Sequence, residues 1–289
     1  MNPLAPPLLA VRDAVTRALA EDLLPLGDLT AALVPPGATA RASFVARQEG
    51  VVAGAACVRE TFAQLDPGLG LAWQADDGTA VAPGQALGSV EGSLASILTG
   101  ERTALNFLCH LSGVATLTRR YVQAVEGRAT IWDTRKTLPG LRALEKAAVR
   151  AGGGRNHRGN LSEMVLVKDN HLAGLTITDA VRQARLAWPG RTVEVECDRG
   201  EQVAEALEAG ATMVLLDNMS AEEVAGCVSL VAGRIPVEVS GGVTLDTVAS
   251  YAMAGADLIS TSAITQSAPA LDIGLDLELG DRSRSGLGT

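Results

Sequence analysis

Between Arg135 and Lys168 the chain carries eight basic residues (Arg135, Lys136, Arg142, Lys146, Arg150, Arg155, Arg158 and Lys168) and two acidic ones, Glu145 and Glu163. The segment has a local charge of +6 in a protein whose net charge is −9. All three lysines of the chain, Lys136, Lys146 and Lys168, fall inside it, whereas the twenty-one arginines are spread along the whole length. A guanidinium grips carboxylate or phosphate through paired hydrogen bonds, and a lysine acts as a compact point charge. One small region is therefore set apart for an anion with several charges. The acidic remainder excludes a protein that coats nucleic acid, which needs a broad basic face.

Other chemistries find less support. Cys57, Cys109, Cys197 and Cys227 stand far apart, with no CxxC spacing, so neither a zinc site nor a disulfide framework is expected and the thiols are read as reduced and mostly buried. The longest uncharged run, Thr103 to Thr118, is too short to cross a bilayer. The start MNPLAPPLLAVRD lacks the pattern of a secretory leader, and a cytoplasmic protein is expected.

The elements that must position these groups are legible from about residue 129 onward. Strand-like runs at 129–134, 164–168, 192–197, 213–217, 236–240 and 258–262 alternate with helical patterns that mostly stop at glycine. Strands alternating with helices at this spacing imply parallel βαβ units. The runs read as apolar throughout, as for strands covered on both faces. Polar residues sit where the strands end: Asp133, Arg135 and Lys136; Lys168; Glu196; Asp217; Ser240 with Gly241 and Gly242; and Ser262. In a βα-barrel that rim is where active sites are built. Taken singly, Glu196 and Asp217 also fit helix caps or salt-bridge partners, Ser240-Gly241-Gly242 a simple tight turn, and Lys146 a surface position on a helix. His110 and His171 read as structural.

The first half differs. A helix near Val11 to Leu24 is followed by strand-like stretches (ARASFVARQEGVVAGAACV and LAWQADDGTAVAPGQALGSVEG) and a long helix from about Ser93 to Val125. The phrase DGTAVAPGQALGSVEG has the look of a biotinyl or lipoyl hairpin, but this half has no lysine to modify, so a sheet without a cofactor is expected. The expected fold is α/β: a C-terminal βα-barrel of about six to seven parallel strands, incomplete and TIM-like, with an N-terminal α+β sandwich domain. The expected boundaries are 1–113 for the N-terminal domain, 114–275 for the barrel, and 276–289 for a tail that packs on the N-terminal domain and then becomes disordered.

GERTALNFLCHLSG (100–113), TRKTLPGLRALEKAAV (134–149), GGGRNHR (152–158), LVKDNH (166–171), EVEC (194–197), LLDN (215–218) and EVSGGV (238–243) together resemble the quinolinate phosphoribosyltransferases, also called nicotinate-nucleotide pyrophosphorylases (carboxylating). The ordered match runs from GDLT (27–30) to ALDIGLD (270–276). The resemblance implies transfer of phosphoribosyl from phosphoribosyl pyrophosphate to quinolinate with decarboxylation, giving nicotinate mononucleotide for NAD synthesis. It assigns the pyridine site to Arg135, His157, Arg158 and Lys168, with Arg102 reaching in from the neighbouring subunit of a homodimer. It assigns Lys136, Glu196 and Asp217, together with Ser240, Gly241, Gly242 and Ser262, to phosphoribosyl pyrophosphate, and implies Mg2+ carried with that substrate, with Glu196 and Asp217 near it. Lys136, Lys168, Glu196 and Asp217 are the implied catalytic set.

Ser262 stands where that family commonly has glycine, Gln266 where histidine is frequent, Ala147 where tyrosine is common, and Gly159-Asn160 follows the His-Arg pair in place of a larger residue and glycine. These departures touch the walls and leave the charged set intact. Two other readings fit the residues: a barrel aldolase with Lys168 as Schiff-base nucleophile, and a binding protein that keeps the barrel without turnover.

Overall fold

The computed structural model describes residues 4–279, and the chain divides into two units, one formed by the residues up to Thr116 together with those from Pro269 onward, the other by Leu117–Ala268. In the first unit α1 (Leu8–Leu23) buries Val11, Ala14, Val15 and Leu19, the spacing of one helical face. Strand β1 (Thr39–Ala46) follows with alternating burial, placing Ala40, Ala42, Phe44 and Ala46 inward. After β2 (Gly50–Val51), Gly54 turns the chain at φ +105° and α2 (Ala55–Leu65) begins. The sequence reading carried the strand-like stretch on to Val58. Residues 51–55 are buried one after another, and such a run has no period that separates strand from helix. Strands β3 (Gly70–Trp73), β4 (Ala80–Val81) and β5 (Ala86–Ser93) complete the antiparallel part. Phe44 packs against Phe62 and Trp73 at centroid distances of 6.3 and 5.5 Å, at the centre of the core. Helix α3 (Leu94–Ala124) begins in this unit and ends in the second.

The second unit holds β6 (Thr130–Trp132), α4 (Arg142–Ala151), β7 (Val165–Val167), α5 (Ile177–Ala187), β8 (Val193–Cys197), α6 (Gly200–Ala209), β9 (Met213–Asp217), α7 (Ala221–Val231), β10 (Val237–Ser240), α8 (Val248–Met253), β11 (Leu258–Ser260) and a short α9 (Ala263–Gln266). The six strands form one parallel sheet in the order β6-β11-β10-β9-β8-β7, the alternation of a βα-barrel. Arg155 makes a parallel bridge to Trp132, adding a further segment beside β6.

The strands are not apolar throughout, as the sequence had suggested. Val193, Val195 and Cys197 alternate with Glu194 and Glu196, and Val237 and Val239 with Glu238 and Ser240. Residues paired across a parallel sheet share a face, and the register matches Glu194 with Leu166 and Met213, Glu196 with Leu215, Leu215 with Glu238, and Asp217 with Ser240. The inner face therefore carries carboxyls in three successive rows, Glu194, then Glu196 and Glu238, then Asp217, while the valine face meets the surrounding helices.

The final strand, β12 (Ile273–Leu279), pairs antiparallel with β1 and completes a four-stranded sheet of order β12-β1-β5-β3 in the first unit. The polar tail GDRSRSGLGT, which the sequence reading took as disordered, lies outside the described residues. No helix among the described residues is long and apolar enough to cross a membrane.

Candidate active site at the strand ends

Three cations converge at the C-terminal ends of the barrel strands. Arg135 follows β6, Arg158 follows the segment that bridges to β6, and Lys168 directly follows β7. All three line one cavity of about 920 Å³, together with His171 and apolar walls that include Leu161, Met164 and Trp188. Burial lowers the Arg158 guanidinium's proton affinity, and neighbouring Arg135 lowers it further, while Glu194 partly opposes both. Arg135 Nε is buried without a hydrogen-bond partner. Crowded guanidiniums with an unused donor are stabilised by an incoming anion. Lys168 forms an ion pair with Glu196 on the adjacent strand β8.

The carboxylates of the rim come from neighbouring strands. Glu196 lies one register layer above Glu194, and Asp217 ends β9, where its Oδ2 accepts a 2.7 Å hydrogen bond from Asn218 Nδ2. Asn218 itself has a left-handed backbone (φ +57°), and its N–H donates to Ser240 O at 3.0 Å. Gly241, at φ +89°, passes so close to Asn218 that a Cβ there would collide with its side chain. Gly242 is also left-handed and faces open space. The glycine pair is thus required by the turn and leaves its backbone accessible.

Ser260 ends β11 and its hydroxyl donates to Ser240 Oγ at 3.0 Å. Ser262, taken from the sequence as the strand end, lies two residues further on, ahead of α9. Lys136 is exposed and is not among the residues lining the cavity; its carbonyl accepts from Thr265 Oγ1 at 2.7 Å, fixing the loop to α9. Arg102 belongs to the first unit, where it is exposed on α3. His171, read from the sequence as structural, lines the cavity and accepts the Lys168 N–H on Nδ1 at 3.0 Å.

A buried polar scaffold holds the cationic loops in place. Asp133 is fully buried; it ion-pairs with Lys146 and accepts the His157 N–H at 2.9 Å and the Asn156 amide at 2.6 Å. Lys146 also donates to His157 O at 2.9 Å, so it is an interior strut and not a surface residue. Arg142 spans Thr137 Oγ1, Arg135 O and Gly159 O at 3.1 to 3.2 Å, tying the two arginine-bearing loops together.

Beneath the cavity the His157 ring sits edge-on to Trp132, with centroids 5.2 Å apart. Its Nδ1 accepts the Arg158 N–H at 2.8 Å, and its Nε2 lies 3.1 Å from Glu194 Oε2 and 3.5 Å from Glu238 Oε2. Burial depresses the imidazole's proton affinity, with Glu238 opposing. Burial likewise pushes Glu194 up to about 7, and burial together with the charge of Glu194 pushes Glu238 up to about 8. His157, Glu194 and Glu238 are the group among the described residues whose ligand atoms could surround a metal ion. The donor set does not fit one: with Nδ1 already accepting a backbone N–H, a metal on Nε2 would demand an imidazolate, whereas metal-bound histidines donate their other N–H. Glu196 and Asp217, half-buried oxygen donors on adjacent strands at the mouth, fit a hard cation that arrives with phosphate.

The sequence reading quoted Glu194, Glu238, Asn156 and Asn218 within motifs but gave them no role in the site. The glutamates were signalled by their alternation with valine in VEVEC and PVEVS; the asparagines stood in the family-like runs GGGRNHR and LLDN, but nothing there showed what they would bond to.

Models of the two quinolinate phosphoribosyl transferase domains match this chain, the N-terminal domain over residues 28–112 and the C-terminal domain over 114–276. The nicotinate-nucleotide pyrophosphorylase [carboxylating] of Mycobacterium leprae is 44% identical over 93% of this chain and 97% of its own length. A probable enzyme of the same name from Bacillus subtilis is 40% identical over 89% of this chain and 90% of its own. Among solved structures, the nicotinate-nucleotide pyrophosphorylase of Francisella tularensis superposes with a TM-score of 0.90 at 36% identity, covering 94% of this chain and 97% of the other.

Proposed function

Because this chain belongs to the quinolinate phosphoribosyltransferase family, we propose that the cavity at its barrel rim takes quinolinate beside phosphoribosyl pyrophosphate. The enzyme transfers phosphoribosyl to quinolinate with decarboxylation, giving nicotinate mononucleotide, pyrophosphate and CO2. The observation that carries the residue assignment is the convergence of Arg135, Arg158 and Lys168 on one cavity. Quinolinate has two adjacent carboxylates, and three cations on one wall suit a dianion better than a monoanion.

The ring nitrogen attacks the anomeric carbon as the bond from that carbon to pyrophosphate breaks, and the leaving group takes the bonding pair. Positive charge grows on the ribose in the transition state, which the carboxylates of Glu196 and Asp217 stabilise. Lys136 meets the pyrophosphate, and the backbone of Ser240, Gly241 and Gly242, with Ser262 nearby, receives the ribose phosphate. Glu196 and Asp217 would hold a Mg2+ arriving with the substrate phosphates, and such an ion would supply charge neutralisation to the leaving group. The carbon–carbon bond to the carboxylate next to the ring nitrogen then breaks, CO2 departs, and the electron pair stays on the ring carbon until a proton replaces it. Lys168 stands beside that carbon as the stabilising cation.

Arg102 completes the neighbouring site in a cytoplasmic homodimer; its exposure on α3 supports this reading. An aldolase reading needs Lys168 as a neutral amine, whereas its ammonium is paired with Glu196.

The test is an assay of the purified protein with Mg2+, phosphoribosyl pyrophosphate and either quinolinate or nicotinate. Mononucleotide and CO2 released together from quinolinate are expected. Turnover of nicotinate alone would refute the substrate assignment. The dimer assignment is tested by mixing Arg102→Ala with Lys168→Ala protein: each is expected to be strongly impaired alone, each mixed dimer regains one intact site, and an equimolar mixture should recover about a quarter of wild-type activity. No recovery would place Arg102 outside the shared site.

A further inference from the structure

On the substrate reading above, we infer that Asn218 is a positioning residue of the phosphoribosyl pyrophosphate site: its side chain aims the Asp217 carboxylate, and its backbone joins that carboxylate to the Ser240-Gly241-Gly242 turn. The parallel pairing of β9 with β10 ends at Asp217 opposite Ser240. Beyond that pair the Asn218 N–H donates to Ser240 O at 3.0 Å, so the residue after one strand is tied to the end of the next. The side chain turns back on its own strand, and Nδ2 donates to Asp217 Oδ2 at 2.7 Å. Among the described residues no other group donates to that carboxylate. The orientation of the amide follows from its neighbour, since a carboxylate only accepts and would repel the amide oxygen. On its other side the Asn218 side chain packs against Gly241, so closely that a Cβ would not fit between them.

Two features separate this arrangement from a simple turn. Asn218 takes a left-handed backbone at φ +57°, which glycine would adopt at lower cost, as Gly241 and Gly242 do after the next strand. The side chain is therefore what the position requires. That side chain is also neutral. Glu196, the other carboxylate of the rim, is paired with the Lys168 ammonium, whereas Asp217 is oriented without being neutralised. Its Oδ2 is committed to Asn218 and its Oδ1 is left for the ligand, with the full negative charge kept where positive charge grows on the ribose.

Ribose 5-phosphate carries the sugar hydroxyls and the phosphate without the pyrophosphate, and its inhibition constant against phosphoribosyl pyrophosphate is the readout. Absence of inhibition in the wild-type protein would count against the substrate reading itself. Asn218→Gly keeps the left-handed backbone and its N–H and removes only the side chain. It is expected to keep the wild-type Tm and quinolinate KM and to weaken ribose 5-phosphate about tenfold. Asn218→Asp, which keeps the shape but sets a second carboxylate against Asp217, is expected to lose at least as much. In an Asp217→Ala background, Asn218→Gly is expected to add less than about a twofold further loss, because no carboxylate remains to be aimed. Losses that multiply in the double variant would make Asn218 a direct ligand contact and overturn the positioning role. Undiminished ribose 5-phosphate binding in Asn218→Gly, or an equal loss for quinolinate, would overturn it as well.

Discussion

The ammonium of Lys146 and the carboxylate of Asp133 form an ion pair sealed beneath the rim, with the two side chains 8% and 0% exposed. The pair reaches the site through His157, whose N–H and C=O it holds from both sides. Removing one partner leaves a buried charge uncompensated, which costs about 3–5 kcal/mol. Lys146→Met is therefore expected to lower the urea midpoint of unfolding strongly. The double variant Asp133→Asn/Lys146→Met should recover a large part of that loss, because no unpaired charge remains.

Lys168→Ala removes the cation shared by Glu196 and the substrate carboxylate. A hydrogen bond to a charged group contributes about 1.5–3 kcal/mol, so kcat/KM for quinolinate should fall about 100-fold, measured by mononucleotide formation. Near-normal turnover would remove Lys168 from the decarboxylation step.

Glu238 loses its proton at about 8 in the fold, compared with an ordinary value of 4.5. The folded state thus binds a proton that the unfolded chain has already released. Stability is undiminished below the ordinary carboxyl range, erodes as pH rises through neutrality, and levels off above about 8. Thermal unfolding followed from pH 6 to 9 should show a falling Tm. Glu238→Gln, which keeps the volume and cannot ionise, should flatten that slope.

Gly241→Ala should raise the KM for phosphoribosyl pyrophosphate about tenfold while sparing that for quinolinate. A left-handed backbone costs an ordinary residue about 1–2 kcal/mol, and the new methyl would collide with Asn218. Steady-state kinetics with each substrate varied in turn provides the check.

Chelation of Mg2+ should abolish turnover reversibly without changing Tm. The His157, Glu194 and Glu238 cluster does not fit a metal, and Glu196 is held by its ion pair with Lys168 and Asp217 by its hydrogen bond from Asn218. A large drop in Tm on chelation would instead point to a resident structural metal.

Much of this was legible before any coordinates. The six βα units announced themselves because Val, Ile and Leu runs bounded by glycine stops are local signals, and the strand-end polar residues followed from them. Reading those runs as uniformly apolar concealed the carboxyls of the inner face: Glu194 and Glu238 received no role because burying an acid next to a histidine depends on register between strands distant in sequence. Lys146 was ambiguous for the same reason, since its partner Asp133 sits thirteen positions away on another element. Membership of His157 in a charged cluster was visible; which direction its nitrogens face was not.

The pairing of β12 with β1 has a consequence for biosynthesis. Strand β1 emerges from the ribosome early, and one of its two edges has no partner until the whole barrel has been translated and the last strand follows it out. An unpaired edge invites pairing with another chain. During synthesis, at roughly 5–20 residues per second, the nascent chain carries that open edge for several seconds at least. A truncation after residue 268 would make the exposure permanent, and the expected phenotype is aggregation of a chain whose barrel sequence is entire.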